Sequence, residues 1–241
     1  DKDQTYFLHE VKDSEFKKCI FPLENLLKSE VREIANNIGL SVSSKKDSVG
    51  ICFVGEKNMK DFLGIDLGSS SVKTCIYDIG SGKSIDSFTY PDSEMEIISE
   101  HDGWAEQDPN YWWECISHTF DHLREKNDFQ SIRAIGISYQ MHGLVIVDKD
   151  GNPVRNSIIW CDSRAVEIGN KAYVDLGEKK CISSLLNSPG NFTASKLKWV
   201  KENEPEIYDR VYKYMLPGDY IAYKLTGDIK TTKNGLSEGI I

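Results

Sequence analysis

No stretch of this 241-residue chain approaches the roughly 18 consecutive apolar residues that a membrane-spanning helix needs. The charged start Asp1-Lys2-Asp3 also leads into no apolar secretion-signal core. Those two absences argue against a membrane or exported protein, and the cytoplasm is the expected location. Close cysteine pairs are missing as well. Cys19, Cys52, Cys75, Cys115, Cys161 and Cys181 are scattered, so neither a zinc ribbon nor a redox dithiol is expected, and reduced thiols are the default. No internal repeat or low-complexity tract is visible. Positive charge is in deficit: 10 basic and 11 acidic residues precede Gly64, and 19 basic and 27 acidic follow it. A negative surplus in the larger part repels polyanions and favours small-molecule chemistry.

The first 63 residues suit a small, incomplete α+β piece. Ser29 can cap a helix over 30–38 that Gly39 ends, and the glycine-bounded tract 48–55 reads as a strand. About 60 residues without disulfides bury little core by themselves. From Phe62 the pattern becomes a strand meander, with runs at 62–67, 71–78 and 84–90 between Gly/Ser turns. Asp108-Pro109 then opens a helix with apolar positions Trp112, Ile116, Phe120 and Leu123. Strand returns over 132–138, a hairpin arm and turn over 144–152, and mostly helix beyond Ser163. Strands first, then strands alternating with helices, predict an α/β layer with a mixed sheet.

The tract Gly64-Ile65-Asp66-Leu67-Gly68-Ser69-Ser70-Ser71-Val72-Lys73 places an acid at the end of a strand and a glycine with three hydroxyls in the next turn. Backbone N–H groups and serine hydroxyls there suit phosphate oxygens. Asp66 suits a hydrated Mg²⁺, and Lys73 offsets charge. An ordinary hairpin turn explains the same residues equally well on local chemistry. His118 and His122 stand four apart on one helix, but with no third ligand a solvated helix face is the better reading. Trp104, Trp112 and Trp113 suit sugar stacking or core packing. Asp162 and Arg164 suit a charge pair or a helix cap.

Taken in order, further tracts make the pattern specific. They are Trp104-Ala105-Glu106-Gln107-Asp108-Pro109, Gln140-Met141-His142-Gly143, Trp160-Cys161-Asp162-Ser163-Arg164, Lys196-Leu197-Lys198-Trp199, Pro217-Gly218-Asp219-Tyr220 and Leu225-Thr226-Gly227. Residues 64–241 thereby resemble the N-terminal half of FGGY-type carbohydrate kinases, in particular xylulokinases. The resemblance implies the actin-like ATPase (ribonuclease H-like) fold with a mixed sheet and flanking helices, and ATP- and Mg²⁺-dependent phosphorylation of a sugar such as a ketopentose. It also implies ATP or phosphate contacts at Asp66, Gly68, Ser69, Ser70 and Lys73, with Asp66 holding Mg²⁺ through water, and sugar contacts at Met141 and His142. In such kinases the general base is an aspartate of the second half, without which this chain is expected to bind sugar weakly and turn nothing over. Asn191 stands where a xylulokinase is expected to carry glycine.

The leading segment carries its own set: Lys2-Asp3-Gln4, Phe21-Pro22-Leu23, Lys28-Ser29-Glu30-Val31-Arg32 and Asp47-Ser48-Val49-Gly50-Ile51-Cys52-Phe53-Val54-Gly55. Residues 1–63 resemble a central fragment of bacterial tRNA 2-thiouridylases. That resemblance implies tRNA contacts at Lys2, Asp3 and Gln4 and a sulfur-carrying Cys52. Without its other parts such a fragment is not expected to work, and a recombined or misassembled gene would account for the joining of the two. A non-catalytic sugar-binding module is the third reading.

Overall fold

The computed structural model describes residues 26, 28–39 and 61–240. The chain divides into two units, Asp1–Val54 and Gly55–Ile241. In the first, helix α1 spans Lys28–Asn37, and Gly39 follows it at φ 72°, a left-handed conformation that glycine adopts without steric cost. The helix begins two residues earlier than expected, so Ser29 lies in its first turn and not at the cap. The expected strand over 48–55, Cys52, and Lys2, Asp3 and Gln4 lie outside the described residues.

The second unit is built on a four-stranded mixed sheet. Strands β1 (Asp61–Leu67), β2 (Val72–Asp78) and β3 (Lys83–Tyr90) form the expected antiparallel meander. β4 (Glu106–Gln107) and helix α2 (Pro109–Arg124) follow, and β5 (Ile132–Tyr139) then returns parallel to β1, giving the order β3-β2-β1-β5. The period of two along each strand decides the faces. Leu63, Ile65 and Leu67 with Val72, Thr74 and Ile76 turn towards α2, whose Trp112, Cys115, Ile116, Thr119 and Leu123 are buried at helical spacing. The Asp108 side chain accepts from Asn110 N (2.8 Å) and Pro109 occupies the first turn, as the sequence predicts. The polar pair at the heart of this interface is satisfied, with the Thr74 and Thr119 hydroxyls 2.6 Å apart.

A second, smaller layer completes the unit. β6 (Val145–Val147) pairs with β8 (Lys213–Met215), and β7 (Ser157–Ile158) pairs with β4. The hairpin arm and turn expected around 144–152 are present: Asp148 N donates to Asn152 O (2.9 Å) and, past the turn, Val154 N donates back to Ile146 O (3.0 Å); the other edge of β6 pairs with β8, from much later in the chain. All three β6 residues are buried because both faces meet apolar neighbours. Val145 and Val147 join Ile65 and Trp112, whereas Ile146 joins Leu144, Ile158 and Val200. Helices α3 (Val166–Leu176), α4 (Thr193–Asn203), α5 (Pro217–Thr226) and α6 (Lys233–Gly239) supply the helical second half. Among the described residues, β5 has a strand on one side only, and Ile135 is 44% exposed along it.

Removing buried methylenes leaves a cavity that a packed interface only partly fills. Ile116→Ala is therefore expected to destabilise the chain by roughly 2–5 kcal/mol in urea titration. Ile85→Ala, at a side chain 53% exposed, should change it by less than about 0.5 kcal/mol.

Candidate functional site

β1 and β5 run parallel, so both end on the same side of the sheet, where open α/β sheets place their ligands. Gly68–Ser71 follows β1, and Gln140–Gly143 follows β5. The two turns are tied together: Gln140 N donates to Leu67 O (2.8 Å), and the Gln140 amide Nε2 donates to Gln107 Oε1 (3.0 Å). Gln107 Nε2 in turn donates to Ser69 O (2.7 Å), and Trp112 Nε1 donates to Gln107 Oε1 (3.2 Å). Gln107 and Gln140 are both buried, so this amide relay is shielded from water and costly to leave half-made.

In the first turn Gly68 N donates to Ser71 O (3.1 Å) and Met95 N to Ser70 O (2.8 Å). The carbonyls of Ser69, Ser70 and Ser71 are thus all engaged by the protein, and the chemistry that suits a phosphate is on the donor side of the turn. Gly68 closes it tightly, since a Cβ there would sit 3.1 Å from Ser71 O. Asp66 and Lys73 are exposed and directly opposite one another across β1 and β2, with Ser138 beside Asp66 on β5. The expected phosphate-side residues therefore lie at one sheet end.

The second turn holds Met141, 56% exposed, and His142, half-buried at φ 58°. His142 N donates to Glu238 Oε1 (2.9 Å) and its carbonyl accepts from Lys196 Nζ (2.7 Å). Tyr139 Oη donates to the second Glu238 oxygen (2.7 Å). The imidazole rests against Phe192, ring centres 4.2 Å apart, and its Nδ1 is buried with no partner among the described residues. Burial lowers the His142 pKa, which favours the neutral ring. Burial likewise lowers Lys196 to about 8 and, with the neighbouring Glu238 carboxylate, raises the Tyr139 phenol. The start of α5 is fitted closely to this turn. A Cβ on Gly143 would lie 2.5 Å from the Pro217 ring, and one on Gly218 would lie 2.1 Å from the Tyr139 ring.

Beside the turn lies a buried charge network. The Arg164 guanidinium is held bidentately by Asp162, meets Glu106 at 2.7 Å, and lies 3.8 Å and 4.9 Å from the ring centres of Trp104 and Trp199. Arg155 bridges Glu106 and Glu204, and burial lowers the Arg155 pKa and raises that of Glu204. Asp162 is therefore a charge partner and not a helix cap; it also accepts from Ala105 N (2.6 Å). Asn191 donates its side-chain amide to the carbonyls of Trp160 and Asp162, a bridge glycine would lack. Trp112 is core, and Trp104 stacks on an arginine. His118 and His122 lie against Tyr90 and Phe88, with ring centres 4.0 Å and 3.7 Å apart; His118 is exposed and His122 half-buried, so the solvated face expected also covers an aromatic edge strand. Gln107 and Lys196 stand inside motifs already noted, but their roles required the fold, and nothing in the sequence singled out Tyr139 or Glu238.

Sheet order, the parallel β1–β5 pair and the two adjoining turns define the N-terminal lobe of the actin-like ATPase fold. Residues 62–238 match the model for the FGGY family of carbohydrate kinases, N-terminal domain, and the chain belongs to that family. Residues 1–56 match the model described as the tRNA methyl transferase HUP domain. The xylulose kinase of Staphylococcus xylosus is 35% identical over 174 residues, covering 70% of this chain and 34% of that protein. That of Escherichia coli K12 is 33% identical, covering 69% and 34%. Among solved structures, the Brucella ovis xyloylose kinase superimposes with a TM-score of 0.68 at 31% identity, over 74% of this chain and 37% of its own. The ligand-bound xylulose kinase of Lactobacillus acidophilus gives 0.66 at 27% identity, over 75% and 36%. The chain spans about a third of the length of the curated relatives it matches.

Two outcomes follow from the buried charges. Asp162→Ala removes the bidentate partner of the Arg164 guanidinium, leaves the Ala105 N–H without its acceptor, and is expected to cost roughly 3–5 kcal/mol in urea titration. By contrast, Asp228→Ala, whose pair with Lys230 is exposed, should cost under about 0.5 kcal/mol. Lys196 titrates at about 8 in the fold against an ordinary 10.5, so between those values the unfolded chain binds more protons. The Lys196 contribution to stability therefore increases as pH rises across that window, and the urea midpoint of Lys196→Met should lack that increment.

Proposed function

We propose that this chain supplies the sugar-binding lobe of an ATP-dependent carbohydrate kinase whose acceptor is a ketopentose such as xylulose. The observation that carries it is the pairing of two turns at one sheet end: a donor-rich turn beside exposed Asp66, and a turn holding exposed Met141 and half-buried His142. A sugar hydroxyl pairs with the His142 imidazole, and the Met141 thioether packs on the carbon chain. Asp66, with Gly68, Ser69, Ser70 and Lys73, meets the nucleotide phosphates. The exposed carboxylate fits a hydrated Mg²⁺, which when bound would neutralise phosphate charge. In the reaction a sugar oxygen bonds to the γ-phosphorus, the bond to the β-phosphate bridging oxygen breaks, ADP leaves, and the hydroxyl proton passes to a carboxylate base. The resemblance assigns that base to the second half of such kinases.

The division into residues 1–63 and 64–241 belongs to the same proposal. The two family matches leave 57–61 between them and β1 begins at Asp61, which supports a seam a few residues before Gly64. The match of residues 1–56 favours a second reading, in which the leading segment acts on tRNA, with Lys2, Asp3 and Gln4 in contact with RNA and Cys52 carrying sulfur. Its signature is a persulfide on Cys52 after incubation with a sulfur donor, lost in Cys52→Ser. No helix among the described residues is long and apolar enough to cross a membrane, which fits a small-molecule enzyme.

Titration of the purified chain with D-xylulose, followed by NMR, tests the main reading. Saturable binding is expected, weakened about tenfold or more in His142→Ala, the loss of one well-placed polar contact. Lack of saturation in the wild-type chain, or equal binding by His142→Ala, would sink it. A sugar-binding module without kinase chemistry is distinguished by nucleotide: Mg·ATP should shift the Ser69 and Ser70 amides in the wild type and not in Asp66→Ala.

A further inference from the structure

We propose that Lys196 and Glu238 are positioning residues for sugar recognition, an opposite-charge clamp on the backbone of His142; this rests on the sugar-binding reading above. His142 adopts φ 58°, a conformation that a residue with a Cβ keeps only when its surroundings over-determine it. The surroundings here do so from both ends of the residue. Glu238, from α6, takes the His142 N–H with one carboxylate oxygen and the Tyr139 phenol with the other. Lys196, from α4, donates to the His142 carbonyl.

The choice of groups is informative. Lys196 is fully buried, and a buried ammonium is ordinarily matched by a carboxylate. Among the described residues no carboxylate lies within ion-pair range of it, and the hydrogen bond it makes goes to the one carbonyl whose residue carries the unsatisfied imidazole. Thr193, one turn earlier on α4, adds a hydroxyl bond to Gly143 O (3.3 Å), and Phe192 backs the ring. Three separate elements, α4, α6 and the end of β5, thus fix one peptide and one ring. Its Nδ1 has no hydrogen-bond partner among the described residues. Neither Lys196 nor Glu238 needs to touch the sugar for its loss to be felt.

The clamp makes a prediction that a merely structural role would not. Lys196 places positive charge and Glu238 negative charge beside the imidazole, and these act on its protonation with opposite signs. The His142 titration is followed by NMR in histidine-labelled chain, assigned by the peak missing from His142→Ala, and D-xylulose affinity is measured on the same samples. Lys196→Met is expected to raise the His142 pKa and Glu238→Gln to lower it, while both weaken D-xylulose binding about tenfold. A His142 pKa that stays fixed or moves the same way in both variants would overturn the proposal, as would unchanged affinity alongside shifted titrations. If Lys196→Met fails to fold, the near-isosteric Glu238→Gln decides alone through the direction of its shift and its affinity. If the wild-type chain binds no D-xylulose yet the opposite shifts appear, the sugar reading falls and the proposed role in recognition falls with it.

Discussion

The parallel pairing of β1 with β5 is the constraint on which the rest of the second unit depends. Two strands that end on the same side put their following turns within one hydrogen bond of each other, as the Gln140 N to Leu67 O contact shows. Sheet geometry alone leaves such turns free to shift. What removes that freedom is the buried amide of Gln107, which reaches Ser69 with its nitrogen and Gln140 with its oxygen. An amide suits this task because it donates and accepts from one rigid plane. A carboxylate would lose the donor, and an apolar side chain would leave three buried groups unpaired.

The charge network around Arg164 has a different character. Desolvating two arginines and three carboxylates costs more than their attraction returns unless every donor is directed at a partner. Here the donors face carboxylates and two indole planes, with one exception: Arg164 Nη1 lies in ion-pair range of Glu106 without a hydrogen bond. It joins β4, the loop before α3 and the end of α4. Stability is an unconvincing explanation for such a network; fixing the relative placement of three short segments is a better one. Asn191 extends the arrangement by binding the carbonyls of Trp160 and Asp162.

Much of this was legible from residue order. The meander, the Asp108-Pro109 helix start and the 132–138 strand follow from local periodicity and turn chemistry, which short-range physics governs, whereas the Asp66 and His142 tracts stood out through the family resemblance. What was not legible is whatever depends on partners far apart in the chain. The pairing of β6 with β8 came in addition to the local hairpin, and Val145–Val147, apolar on both faces, serves two cores. That His118 and His122 also cover Tyr90 and Phe88 could not be read, because β3 could not be placed beneath them. Gln107 looked like one more motif letter, and Glu238 like an ordinary helical acid. Their significance comes from what the fold brings within 3 Å of them.

The Glu238 contact also says something about time. It joins residues 96 positions apart, and closing so long a loop must be preceded by the packing that makes closure affordable in entropy. The left-handed turn at His142 therefore has no local reason to exist in a partly folded chain: its N–H and C=O find their partners only once α4 and α6 have docked. The geometry of this turn is thus borrowed from two helices remote in sequence, and undocking of α6 removes one of the two backbone contacts that hold it while those from α4 remain.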